Sequence, residues 1–306
     1  MSAALDSAPR CVWEVNAELG EGPVWVPQQR AVYFVDIVGK RIHRWQHNGE
    51  RRSWRAPAEP GFVFPCTDGS FLCGLRGGLH RFYPGTGTFD LLIPVETDQP
   101  LHRINDGFVD ATGRLWFGTM HEDTHTPGGA LYSLELDASL RVHDAGYIVT
   151  NGPTLSPDGS TLYHSDSAQR TVYAFAHSAG RIVDRRPFIT FPMGAFPDGM
   201  AVDSAGYLWI AVFNGWRIER YSPDGEQVAE IRFPCAHVTK PVFGDDDLRT
   251  LYVTTAWHGL TPAMRARQPQ AGGLFAARVE VPGQRPAEIA YNRRASPETD
   301  IAPPPT

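Results

Sequence analysis

Four oxygen-bearing side chains stand directly before a glycine or one place from it: Glu21-Gly22, Asn105-Asp106-Gly107, Asn151-Gly152 and Asp198-Gly199. Glycine there lets the backbone turn tightly and lets a ligand come close. Two carboxylates crowded together repel and raise one another's pKa unless a counter-charge intervenes. A divalent cation supplies that charge, and carboxylates with amide oxygens make a hard, all-oxygen site. Singly, Asn-Gly and Asp-Gly are ordinary turn dipeptides. The chemistry therefore depends on whether Glu21, Asn105, Asn151 and Asp198 converge.

A repeat makes them converge. Six apolar strands recur along the chain: AVYFVDI from Ala31, SFLCGL from Ser70, RLWFGTM from Arg114, TLYHSDS from Thr161, YLWIAVF from Tyr207 and TLYVTTA from Thr250. Their equivalent residues Val32, Phe71, Leu115, Leu162, Leu208 and Leu251 are separated by roughly 40–47 residues, the length of one four-stranded propeller blade. Each strand is preceded by a Gly- or Asp-bearing turn and followed by a third, alternating strand such as RIHRW (Arg41–Trp45) or TVYAF (Thr171–Phe175). Alternation bounded by turn residues marks antiparallel strands. Six units predict an all-β, six-bladed β-propeller with a central metal-containing channel, and the four oxygen-bearing residues at equivalent blade openings would face its axis. A β-sandwich or an open array of hairpins accounts less well for spacing that regular.

The ring needs a closing strand, and Val12–Val15 is the expected one. One propeller domain over residues 1–290 is expected, with the Pro-rich tail 291–306 disordered. A net charge of -6 argues against nucleic-acid partners and gives no support for anionic membranes. Neither a signal peptide nor a run of eighteen apolar residues is evident, so the chain is read as soluble and cytoplasmic. Cys11, Cys66, Cys73 and Cys235 lack CxxC spacing and read as reduced thiols. Closed propellers protect most strand edges, so a monomer or weak oligomer is expected.

Competing motifs carry less weight. His121-Glu122-Asp123-Thr124-His125 fits HExxH, but that pattern binds zinc only on a helix, and here it runs from a strand into Pro127-Gly128-Gly129. No GxSxG elbow or Gly-rich phosphate loop is present. Asp245-Asp246-Asp247 lacks the alternating ligands of a calcium loop and reads as a turn.

The strings LGEGPVW (Leu19–Trp25), RINDGFVDATGRLWFGTM (Arg103–Met120), TNGPTLSPDG (Thr150–Gly159), PDGMAVDSAGYLWIA (Pro197–Ala211) and AGGLF (Ala271–Phe275) resemble the SMP-30/gluconolactonase/LRE family, which includes regucalcin and bacterial sugar lactonases. The resemblance implies one catalytic divalent metal, whether calcium, zinc, manganese, magnesium or ferrous iron, held by Glu21, Asn151 and Asp198. It implies substrate contacts from Arg103 and Asn105, and from an acid after GTM that falls on Asp123 or Glu122. Asp198 is the implied general base. His102 stands where the family often has asparagine. The expected activity is hydrolysis of a small-molecule sugar lactone, such as a glucono-, xylono- or arabinonolactone, to the aldonic acid. The alternatives are a non-catalytic calcium-binding protein, and an esterase or phosphotriesterase propeller.

Overall fold

The structure, a computed structural model, describes residues 8–290. The expectation about the tail 291–306 lies outside them. Six four-stranded antiparallel sheets follow one another around an axis. Blade one holds β2 (Gly20–Val26), β3 (Ala31–Asp36), β4 (Arg41–Gln46) and β5 (Arg51–Arg55). Blade two holds β6 (Pro60–Pro65), β7 (Phe71–Leu75), β8 (Gly78–Tyr83) and β9 (Thr88–Pro94). Blade three holds β10 (His102–Val109), β11 (Leu115–His121), β12 (Gly129–Leu134) and β13 (Leu140–Tyr147). Blade four holds β14 (Thr150–Leu155), β15 (Thr161–Asp166), β16 (Thr171–Ser178) and β17 (Arg181–Thr190). Blade five holds β18 (Phe196–Val202), β19 (Leu208–Phe213), β20 (Arg217–Tyr221) and β21 (Gln227–Arg232).

Blade six is made from both ends of the ring. Its strands β22 (His237–Gly244), β23 (Thr250–Ala256) and β24 (Leu274–Arg278) are completed by β1 (Arg10–Trp13), antiparallel to β24. The expected closing strand at Val12–Val15 thus lies at Arg10–Trp13. The innermost strands β2, β6, β10, β14, β18 and β22 pack neighbour against neighbour around the axis. Burial falls from inside outward: β2 and β3 are buried throughout, whereas β5 exposes every residue but Trp54. That gradient is why the second strands read as unbroken apolar runs and the outer ones as charged alternation.

The turn between first and second strands is built from sequence-legible parts. In DATGRLW, Asp110 Oδ1 accepts from the amides of Thr112 (2.8 Å) and Arg114 (3.2 Å), and Oδ2 accepts from Trp116 Nε1 (3.0 Å). In DSAGYLW, Asp203 repeats this with Ala205, Tyr207 and Trp209, each at 3.0 Å. One aspartate therefore fixes both the turn and the core indole behind it.

Residues 282–290 cross the face opposite the blade openings as a strap that touches every blade. The Gln28 amide donates to Glu288 (2.8 Å), and the Ile289 amide to the Pro65 carbonyl (2.9 Å). The Ala290 amide donates to Gly113 (3.2 Å), and Gln284 Nε2 to Leu155 (3.2 Å). The Ser204 amide donates to Pro282 (2.9 Å), and the Gly283 amide to Leu248 (2.8 Å). All four cysteines are free. Among the described residues no helix is long and apolar enough to cross a membrane.

Candidate active site

Every innermost strand loses register with its neighbour at one place. The irregularities fall between Glu21 and Val24, Pro60 and Phe62, Ile104 and Asp106, Asn151 and Thr154, Pro197 and Met200, and Val238 and Lys240. A bulge re-aims the side chain beside it. Six bulges at one level gather the residues before the glycines about the axis, and positive φ at Gly22 (53°) and Gly152 (77°) explains the glycines there.

Glu21, Arg103, Asn105, Asn151 and Asp198 line one cavity of about 470 Å³, along with Ser167, Thr124, His125 and His258. Leu19, Met120, Val149, Phe196 and Phe213 form its apolar wall. Glu21, Asn105, Asn151 and Asp198 are each buried. The carboxyls of Glu21 and Asp198 hydrogen-bond to each other. Burial, then the charge of Asp106, pushes Glu21 up to about 7. Burial, then the charge of Glu21, holds Asp198 well above the usual carboxylate range.

The amides are tied into the same network. Asn105 Nδ2 donates to the Thr150 carbonyl (2.6 Å) and to Asn151 Oδ1 (3.1 Å). Asn151 Nδ2 donates to Ser167 Oγ (2.9 Å), which donates to the Pro197 carbonyl (2.6 Å) beside Asp198. Arg103 Nη1 donates to Asn105 Oδ1 (2.5 Å). Burial pulls the guanidinium down to about 10, so it stays charged at neutral pH. None of its described ion pairs or hydrogen bonds is to a carboxylate.

Two strand-end aspartates outside the predicted set hold the approaches to this site. Asp36, at the end of β3, accepts from the amides of Glu18 (2.9 Å) and Leu19 (3.0 Å). Asp166, at the end of β15, accepts from Ile148 (2.9 Å) and Val149 (3.2 Å). Each carboxylate pins the chain just before a candidate ligand, Glu21 or Asn151. The signal was present, because AVYFVD and TLYHSD carry aspartate at the same repeat position.

Other expected positions lie elsewhere. Glu122 pairs with Arg76 (2.5 Å). Asp123 accepts from the amides of His125 (2.8 Å) and Thr126 (2.9 Å) in an exposed turn. Neither lines the cavity; Thr124 and His125 of the same loop do. The HExxH string runs from β11 into this loop and forms no helix. His102 is turned onto Glu96, with Nδ1 at 2.9 Å from Oε2. Asp245 and Asp247 are bound to Tyr252 (2.9 Å) and Arg278 (2.6 Å).

The donor set fits a hard cation. Two buried carboxyls that share a hydrogen bond hold a proton between them even with Arg103 and Lys240 nearby, and a divalent ion can take that proton's place. Among the described residues no group of three or more His, Cys, Asp or Glu is placed to hold a metal. The axial set meets the requirement through an asparagine amide, Asn151, beside two acids.

Six antiparallel blades around buried acids and amides define a propeller whose working end is its axial pocket. Residues 19–257 match the family model described as the SMP-30/gluconolactonase/LRE-like region, and the chain belongs to that family. It is 34% identical over 283 residues to the 6-deoxy-6-sulfogluconolactonase of Pseudomonas putida, covering 91% of this chain and 97% of that protein. It is 35% identical over 252 residues to a pentonolactonase of Haloferax volcanii, covering 80% and 84%. The solved structure of regucalcin, a calcium-binding protein from Agrobacterium tumefaciens, superposes with a TM-score of 0.90 at 26% identity, covering 94% of this chain and 99% of that one.

Proposed function

We propose that this chain is a metal-dependent hydrolase that opens the ring of an aldonolactone to the aldonic acid. The observation that carries it is the meeting of Glu21, Asn151 and Asp198 with Arg103 and Asn105 in one cavity. The lactonase names of the Pseudomonas and Haloferax relatives support the same reading. Glu21, Asn151 and Asp198 would hold a divalent cation, which when bound would supply Lewis-acid polarisation of the lactone carbonyl. The all-oxygen set suits calcium, magnesium or manganese best.

The chain's own groups do the rest. Arg103 directs its unspent N–H groups at the carbonyl and hydroxyl oxygens of the sugar, and Asn105, fixed by Arg103 and Thr150, presents its amide beside them. Thr124 and His125 take the hydroxyl contacts that the family resemblance assigns to Asp123 or Glu122. Asp198 is the base: its ionised carboxylate takes the proton of the water that adds to the carbonyl carbon. It returns that proton to the ring oxygen as the ring C–O bond breaks, giving the hydroxy acid; burial favours its holding the proton in between. Phe196, Phe213 and Val149 limit the water that reaches the ring.

The resemblance to a calcium-binding regucalcin favours a second reading, a cation-binding propeller without catalysis. An arginine in the cavity whose described hydrogen bonds go only to the Ile104 carbonyl and the Asn105 amide favours the enzyme, since it keeps N–H groups for a substrate. Assays of aldonolactones, aryl esters and phosphotriesters with metal-stripped and reloaded protein separate the readings. Lactone turnover that needs metal and disappears in Asp198→Ala, with circular dichroism unchanged, supports the proposal. Failure of the reloaded protein to open any aldonolactone rules it out.

A further inference from the structure

We infer that Lys240 is a built-in counter-cation that withdraws Asp106 from the axial cation site, leaving Glu21 and Asp198 alone to set the charge seen by a bound ion. The inference rests on the cation site proposed above and concerns its floor. By the repeat, Asp106 belongs with the candidate ligands: it directly precedes Gly107, as Glu21, Asn151 and Asp198 precede their glycines, and its strand bulges at the same level. A third anionic ligand is therefore expected there. Its oxygens are instead spent below the cavity. Oδ1 accepts from the Gly107 amide (2.7 Å) and from Lys240 Nζ (2.5 Å), and Oδ2 accepts from the Gly152 amide (3.1 Å).

Lys240 comes from blade six at the equivalent bulge. Its ammonium also donates to the Gly107 carbonyl (3.0 Å). Its stem fills the space over Gly199, where an added Cβ would stand 2.4 Å from Lys240 Cγ. Lys240 and Asp106 are 6% and 1% exposed. The pair thus touches the residues that follow Asn151 and Asp198. It also divides the axis: Lys240 lines a smaller cavity of about 140 Å³ beneath, and the candidate ligands line the upper one. A buried ion pair contributes little net stability and is very costly to break. What this one does is set charge, because a lysine replaces a cation at the one repeat position whose acid would otherwise face the ion.

Lys240 is a positioning residue, and charge selectivity reports its role where loss of packing does not. The probes are calcium and terbium(III), titrated against metal-stripped wild type, Lys240→Met, Asp106→Asn and the double variant, with folding followed by circular dichroism. In Lys240→Met the freed carboxylate adds one negative charge, so the terbium-to-calcium affinity ratio should rise about tenfold or more. In Asp106→Asn, where the ammonium stays, the ratio should fall by a similar factor. The double variant should return it to the wild-type value. A ratio unchanged in both single variants, with affinities lowered alike, overturns the inference. Should Lys240→Met not fold, Asp106→Asn and the double variant still decide it. Wild type that binds neither ion overturns the cation site itself.

Discussion

The carboxyl group of Glu21 on the first blade is hydrogen-bonded to that of Asp198 on the fifth, each buried and each held above its usual pKa. Protons and a cation compete for this pair. Glu21 is pushed up to about 7, so below that pH binding an ion must expel a proton. Calcium or manganese affinity is expected to fall as pH drops from 8 to 5, with proton release on binding near neutral pH. Calorimetry in buffers of different ionisation enthalpy measures both. Binding that is pH-independent across that range would remove the shared proton from the account.

Asp36 and Asp166 do their work one step back from the site. Each accepts two amides of the chain leading to Glu21 or Asn151, so its loss loosens the backbone that aims the ligand. Asp166→Ala is expected to weaken metal affinity by about 10–100-fold, the usual cost of removing an outer-shell support. Asp166→Asn keeps one acceptor oxygen and should recover part of it. A melting temperature lowered without any change in metal affinity would reduce the aspartate to a structural role.

The six blades could be read from the spacing of Val32, Phe71, Leu115, Leu162, Leu208 and Leu251, because each blade buries its second strand most completely. Convergence of Glu21, Asn105, Asn151 and Asp198 followed from the same alignment. Asp106 stands beside Asn105 in the sequence, and only a contact from another blade, Lys240, gives it a distinct place. In the loop after β11 the residues that line the cavity are Thr124 and His125. The family resemblance points to Glu122 or Asp123, but Arg76 and the loop's own amides take up their oxygens. The strap at 282–290 left no periodic signal, since its hydrogen bonds go to scattered turns and not to one strand.

That strap closes the face opposite the blade openings, and Gly283 packs hard against Phe243 within it. A Cβ there would stand 2.2 Å from Phe243 Cβ. Gly283→Val is expected to destabilise the fold by about 1–3 kcal/mol, the range for forcing atoms into a packed core. Chemical denaturation of wild type and variant measures this, and an unchanged midpoint would show the strap to be free of the ring.

His164, on β15, is 0% exposed, and neither ring nitrogen has a hydrogen-bond partner. Its ring meets the edge of Tyr147 with centroids 4.6 Å apart. Burial, then the charge of Arg185, pulls it from 6.5 to about 3. The unfolded chain takes up a proton below about 6.5 that the folded chain refuses until about 3, so stability present above pH 6.5 drains away through that window. At pH 5 the loss is about 2 kcal/mol. His164→Phe keeps a ring against Tyr147 and cannot take up the proton, so its melting temperature should fall less between pH 7 and pH 4 than that of wild type. His43, His143 and His237, each lowered by burial to about 4, leave the variant a residual slope. Equal slopes in wild type and variant would mean that His164 escapes its cage before it charges.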